Sequence, residues 1–113
     1  MAREIYQVIV TEEAKKEINE ILDYLAQKVS YDQAVDARKK ILAAINSLSD
    51  MPSAHSPVQE VVHLTEDIIF RQIIAKEVYR IIYRIKEIHK DVIVIRVIHV
   101  KRGSSFVKKA LLP

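Results

Sequence analysis

Five arginines and one histidine carry most of the chemical potential of this sequence. Arg71, Arg80, Arg84, Arg96 and Arg102 lie in or just after three apolar runs, and His99 stands three residues before Arg102. A guanidinium presents a planar fork of N–H donors that fits a phosphate or a carboxylate. Histidine ordinarily titrates close to neutral pH and can take up or deliver a proton. Arginines around His99 could therefore bind an anionic partner, and an imidazole among phosphate-binding arginines could act as the general base of an RNA-cleaving site. Against this, single histidines at strand ends are more often structural hydrogen-bonders.

Charge is unevenly spread. Residues 1–70 hold 7 Lys+Arg and 12 Asp+Glu, a balance of −5, whereas residues 71–113 hold 11 and 3, a balance of +8. A basic half on a chain of net charge +3 points to an acidic or polyanionic partner for that half. Other chemistries are poorly served. There is no cysteine, so no thiolate metal site and no disulfide. A single glycine argues against a phosphate-cradling loop. His55, His63 and His89 show no metal-ligand spacing, and no serine-hydrolase pattern is present. The expectation is therefore no metal and no cofactor. No apolar run reaches the roughly 18 residues of a membrane span, so a cytoplasmic protein without a membrane partner is expected.

The elements that must position the arginines follow from periodicity. "EIYQVIV" (4–10) alternates like a strand. Thr11 then suits a helix N-cap, with Glu12 and Glu13 at the positive end of the dipole. Ala14, Ile18, Ile21, Leu22, Leu25 and Val29 make one helical face. "SYDQ" (30–33) is a capping box that opens a second helix with Ala34, Val35, Ala37, Ile41, Leu42, Ile45 and Leu48 inward, stopped by Met51-Pro52. After an irregular segment (51–67) come three strand candidates, 68–75, 78–85 and 91–100. Lys76-Glu77 links the first two in a tight turn for which that dipeptide is poor chemistry. The tail, "GSSFVKKALLP", reads either as a short helix or as a mobile end. The whole chain, 1–113, reads as one α+β domain, a two-helix hairpin on a four-stranded, mostly antiparallel sheet in the order β-α-α-β-β-β.

A helix hairpin covers only one face of such a sheet. Strict alternation leaves Ile73, Ile82, Val94 and Ile98 half-exposed on the second face, bordered by the five arginines. An apolar patch rimmed by charge marks a binding surface. A second copy of the chain, or the tail folding back, would cover it equally well. Tyr79 and Tyr83 are expected to point into the core.

The sequence resembles the RelE/ParE superfamily of bacterial type II toxins, in the branch often labelled plasmid stabilisation proteins. "YQVIVTEEAKKEINEILDYLAQ", "AVDARKKILAAINSLSDMP", "EVYRIIYRI" and "VIVIRVIHVKR" carry the likeness over nearly the whole chain. The resemblance implies a toxin neutralised by a cognate antitoxin in a hetero-oligomer, with the antitoxin covering the sheet. It also implies one of two targets. ParE-like toxins poison DNA gyrase and are not nucleases, whereas RelE-like toxins enter the ribosome and cleave mRNA. Carried over by motif, the RelE-like cationic site falls on Arg71, Arg80 and Arg102, with Arg80 and Arg102 beside His99 as the catalytic set of that reading. A further cationic position falls on Ile73, and the tyrosine expected shortly after "KR" falls near Lys108, where the tail offers Phe106. These departures favour the ParE-like reading, an inhibitor and not an enzyme. A third reading is an inactive domain that only binds an antitoxin.

Overall fold

The computed structural model describes residues 5–65 and 67–112. Four strands and three α-helices follow one another as β1 (Gln7–Val10), α1 (Glu12–Lys28), α2 (Tyr31–Ser47), β2 (Arg71–Ala75), β3 (Tyr79–Lys86), β4 (Asp91–His99) and α3 (Ser104–Leu111). The expected α+β architecture is present, and the tail forms a helix. Residue 4, the start of the expected first strand, lies outside the described residues. β2 begins three residues later than alternation predicts.

Local chemistry explains the helix starts. Thr11 Oγ1 accepts from Ala14 N–H and Ser30 Oγ accepts from Gln33 N–H, so each cap satisfies a backbone donor that its helix leaves unpaired. The sheet order is β1-β4-β3-β2. β1 runs parallel to β4, and the β2–β3 and β3–β4 pairs are antiparallel. The parallel pair is possible because the whole α-helical hairpin and the meander separate its strands.

α1 and α2 pack on one face. Ala14, Ile18, Ala37, Ile41, Ile45 and Leu48 meet Ala75, Tyr79, Ile81, Tyr83, Val92, Val94 and Val97, all buried. Both expected core tyrosines are in this layer. The Tyr83 hydroxyl donates to the Pro52 carbonyl, and burial pushes its phenol up to about 12. Its folded value lies above its ordinary value near 10, so its contribution is whole below pH 10 and is lost as pH rises towards 12. Replacing Tyr83 with Phe is expected to lower stability by about 1–2 kcal/mol at neutral pH, because a carbonyl beside the core loses its donor. Denaturant titrations at pH 7 and pH 11 check both statements: the difference between wild type and variant shrinks at the higher pH.

The second face is not open. Val58, Val61, Phe70, Ile82, Ile98 and Val107 form a second buried cluster, with Ile95, Phe106, Leu111 and Leu112 packed on it. The segment after α2 and helix α3 both lie over the sheet, so three layers form where two were expected. This corrects the half-exposed patch. Ile82 is 0% and Ile98 4% exposed beneath that cover. Ile73 packs on the opposite, helix-covered side.

A β-bulge accounts for a further correction. Ile82 pairs with Arg96 but Tyr83 pairs with Val94, leaving Ile95 as an extra residue in β4. Val94 and Val97, three apart, consequently share the helix-covered face, and Ile95 packs on the second face. Strict alternation assigned Val94 and Ile95 each to the opposite side. Arg96 stays across from Ile82, with its guanidinium 5.7 Å from the centre of the Phe106 ring. Thr11 holds the bulge: its hydroxyl donates to the Ile95 carbonyl at 3.1 Å, and its N–H donates to Val94 at 3.0 Å.

The β2–β3 turn keeps the unfavourable dipeptide. Lys76 and Glu77 both adopt left-handed backbone, with φ of 53° and 63°. Lys76 Nζ compensates with bonds to Asp36 and Gln33 on α2, each 2.7 Å. Glu77 has no such return. Glu77→Gly is expected to raise stability by about 0.5–1 kcal/mol, the left-handed strain removed less the entropy glycine loses on folding. Lys76→Gly gains nothing, because it also breaks the α2 contacts. Thermal melts of the two variants side by side check the contrast.

Candidate functional site

The five arginines do not converge. Arg71 lies towards the helix-covered side and donates to the His55 carbonyl at 2.7 Å. Arg80 is on the other side, 7% exposed, and is gripped by this chain. Its two terminal nitrogens donate to the two Glu60 oxygens at 2.7 and 2.9 Å, and Nε donates to Gln72 Oε1 at 2.8 Å. The guanidinium holds the Glu60 carboxyl below the usual carboxylate range. Arg96 forms a second fork, with Glu17 of α1 at 2.8–3.0 Å, and Glu17 Oε1 also accepts from Val97 N–H at 2.9 Å. That carboxylate raises the Arg96 pKa and fastens the bulge to α1.

Arg84 and Arg102 stand apart from these pairs. Arg84 is half-buried on the second face, and its Nε is buried with no hydrogen-bond partner. Arg102 is exposed beyond the end of β4, with its guanidinium 4.6 Å from the centre of the Phe106 ring.

His99 and Arg102 do come together. They line a cavity of about 370 Å³ between α1, the end of β4 and the start of α3. Ile21, Leu25, Tyr79, Val97 and Phe106 give it an apolar floor, and Glu20 and Tyr24 border it. His99 Nδ1 accepts from Lys101 N–H at 3.0 Å, and its ring meets Tyr79 edge-on at 5.8 Å. That hydrogen bond places the proton of the neutral ring on Nε2. Arg71, Arg80 and Arg84 do not line this cavity. The arrangement can hold an apolar group with a single anion beside it. It does not assemble the several cations that a phosphate in flight requires. Among the described residues no group of three or more His, Asp or Glu side chains is placed to hold a metal ion. No helix among them is long and apolar enough to cross a membrane.

Sequence reasoning missed Glu17, Glu60 and Tyr24. The first two neutralise arginines 79 and 20 residues away, a pairing no local pattern announces. Tyr24 was legible: Glu17, Glu20, Ile21, Tyr24 and Leu25 recur at helical spacing beside the inward face of α1.

Comparison with known proteins agrees with this architecture. Among solved structures, the chromosomal ParDE toxin–antitoxin system from P. aeruginosa is similar at a TM-score of 0.68 and 14% identity, covering 87% of this chain and 99% of that one. The RelBE2 toxin–antitoxin complex from Mycobacterium tuberculosis is similar at a TM-score of 0.51 and 19% identity, covering 84% and 91%. These likenesses show the fold. No curated protein matches the sequence. The family model of the ParE toxin of type II toxin–antitoxin systems, parDE, matches residues 8–103, and the chain therefore belongs to the ParE toxin family.

Proposed function

We propose that this chain is a ParE-like toxin that inhibits DNA gyrase without cleaving nucleic acid and is neutralised by a cognate antitoxin. The observation that carries the reading is the dispersal of the arginines. Arg71, Arg80 and Arg96 are each engaged by this chain's own acceptors, on different sides of the sheet. An RNA-cleaving centre needs cations converging on one phosphate, together with a base and an acid. Family membership over residues 8–103 supports the same choice of branch. Antitoxin neutralisation is supported by the two similar solved structures, both described as toxin–antitoxin assemblies.

The RelE-like alternative keeps one supporting observation, the shared cavity of His99 and Arg102. Two assays on the purified chain decide between them. Gyrase supercoiling of relaxed plasmid is expected to fall with added protein, and mRNA on translating ribosomes is expected to stay intact. Cleaved mRNA with undiminished supercoiling would reverse the assignment.

A further inference from the structure

The cations of the basic half divide into two sets. Lys76, Arg80, Lys90 and Arg96 are each ion-paired within the chain, with Asp36, Glu60, Glu87 and Glu17. Lys101, Arg102, Lys108 and Lys109 are all exposed. Among the described residues no carboxylate lies within ion-pair distance of these four. Residues 101–112 hold 4 Lys+Arg and 0 Asp+Glu, so no neighbour along the chain neutralises them.

Helix α3 puts these charges on one surface. Its inward side is fixed by packing: Val107 is fully buried, and Phe106, Leu111 and Leu112 pack on the second face of the sheet. Ser104 and Lys108 are four residues apart, as are Ser105 and Lys109, and both pairs are exposed on the outward side. The Arg102 guanidinium, 4.6 Å from the centre of the Phe106 ring, is held at the first turn of the same helix. The cavity carboxylates do not cancel this charge. Glu17 is bound to Arg96, and Glu20 makes no ion pair with Arg102. The result is a strip of four cations and two hydroxyls with no acid in it.

We propose that this strip docks on the phosphate backbone of duplex DNA, the segment that gyrase holds while it is inhibited. Naming gyrase's DNA rests on the function proposed above, whereas the contact rests on the strip alone. Cations strung along a helix suit a row of phosphates, although they cannot converge on one. Duplex DNA carries one negative charge per about 1.7 Å of axis, so a helix about 12 Å long faces several. Lysine, arginine and serine are the residue types that contact a DNA backbone. A protein partner fits less well. A protein interface needs an apolar centre, and none of the exposed large hydrophobic residues lies on α3. A membrane fits less well, because the apolar side of the helix, which would enter the lipid, is already packed on the sheet. Single strands are gripped by stacking on exposed rings, and the ring of α3, Phe106, is packed on the sheet and met by Arg102.

Titration of the full chain with a short duplex of mixed sequence, over a series of salt concentrations, tests the contact. Four neutralised phosphates make log K fall against log salt with a slope of about −3 to −4. Lys108→Gln combined with Lys109→Gln is expected to flatten that slope by about 2 and to weaken binding about tenfold or more. Lys108→Arg with Lys109→Arg keeps both charges and should bind as wild type does. Arg38→Gln with Lys39→Gln removes two exposed cations from α2, on the other side of the sheet, and should also bind as wild type does. In the supercoiling assay the α3 glutamine pair is expected to raise the half-inhibitory concentration about tenfold, in line with its weaker DNA contact. Circular dichroism confirms that each variant is folded. Equal losses from the two glutamine pairs would show an effect of net charge alone and overturn the inference. So would a wild type that binds no duplex, or that binds a single strand, anionic vesicles or polyglutamate more tightly. Weakened DNA binding with undiminished gyrase inhibition would overturn the inference and leave the gyrase reading intact. A wild type that binds duplex through the strip but does not inhibit supercoiling would overturn the gyrase reading, and with it the choice of DNA, while the contact stands.

Discussion

Replacing Glu60 with alanine is expected to destabilise the fold by about 2–3 kcal/mol, a loss of about 8–12 °C in Tm for a chain of this size. The magnitude follows from what the substitution leaves behind. The Arg80 side chain is 8% exposed and the Glu60 side chain 22%. Without Glu60, a guanidinium beneath the segment after α2 keeps only Gln72 as an acceptor. Removing one partner of a buried pair costs about 3–5 kcal/mol, and the remaining Gln72 bonds with the partial exposure of the site reduce that figure. Replacing both partners with apolar residues, Arg80→Met with Glu60→Leu, is expected to come within about 1 kcal/mol of wild type, since the desolvation cost goes with the attraction. A large loss in the double variant would show that the pair itself holds the segment down.

The same pair gives a pH signature. Arg80 lowers the folded-state pKa of Glu60, so its stabilising contribution is whole above the ordinary carboxylate value and declines as pH falls through the folded value. The gap between wild type and Glu60→Gln should therefore narrow as the medium is acidified below about pH 4. Denaturant melts at pH 7, 5 and 3.5 measure it. A gap that is constant with pH would assign the loss to packing and not to charge.

The sequence carried the fold further than the site. Thr11 and Ser30 were legible as caps because capping is a local matter of one hydroxyl and a donor three residues on. The tyrosines of β3 were legible because alternation holds along the strand, with Tyr79, Ile81, Tyr83 and Ile85 on one side and Ile82 on the other. Alternation fails in β4, where the extra residue slips the register and moves Val94 and Ile95 off their expected faces. A bulge has no signature in a run of β-branched residues. The cover of the second face was only half legible. Phe106, Val107 and Leu111 have helical spacing, but nothing local says where an eight-residue helix docks. Val58 and Val61, in a segment without a long period, look like loop residues until the sheet beneath them is known. The arginines were misgrouped for the same reason. Their partners Glu60 and Glu17 are set by tertiary contact, and a cluster inferred from strand parity dissolves once the acids arrive.

A chain with His99 replaced by alanine is expected to remain toxic, with gyrase supercoiling still inhibited. The argument turns on magnitude. If His99 moved a proton during RNA cleavage, its loss would cost about 10²–10⁴-fold in rate, and growth inhibition would largely disappear. If its work is structural, the variant loses one neutral hydrogen bond from Lys101 N–H and an edge contact with Tyr79, together about 1–2 kcal/mol of stability. A domain of ordinary stability tolerates that loss and stays folded. Geometry favours the smaller effect. One ring nitrogen is occupied by backbone, and of the three arginines that the RelE-like pattern selects, only Arg102 shares the cavity with His99. Arg80 is committed to Glu60, and Arg71 to the His55 carbonyl. A single exposed guanidinium stacked on Phe106 is little to steady a pentacovalent phosphate. Induced expression of wild type and variant, with DNA and protein synthesis labelled in parallel, makes the comparison. Circular dichroism of the purified variant confirms that it is folded. Early loss of DNA synthesis in both strains is the expected result. A folded but harmless His99→Ala protein, beside a wild type that cuts mRNA on ribosomes, would replace the gyrase reading with the nuclease one.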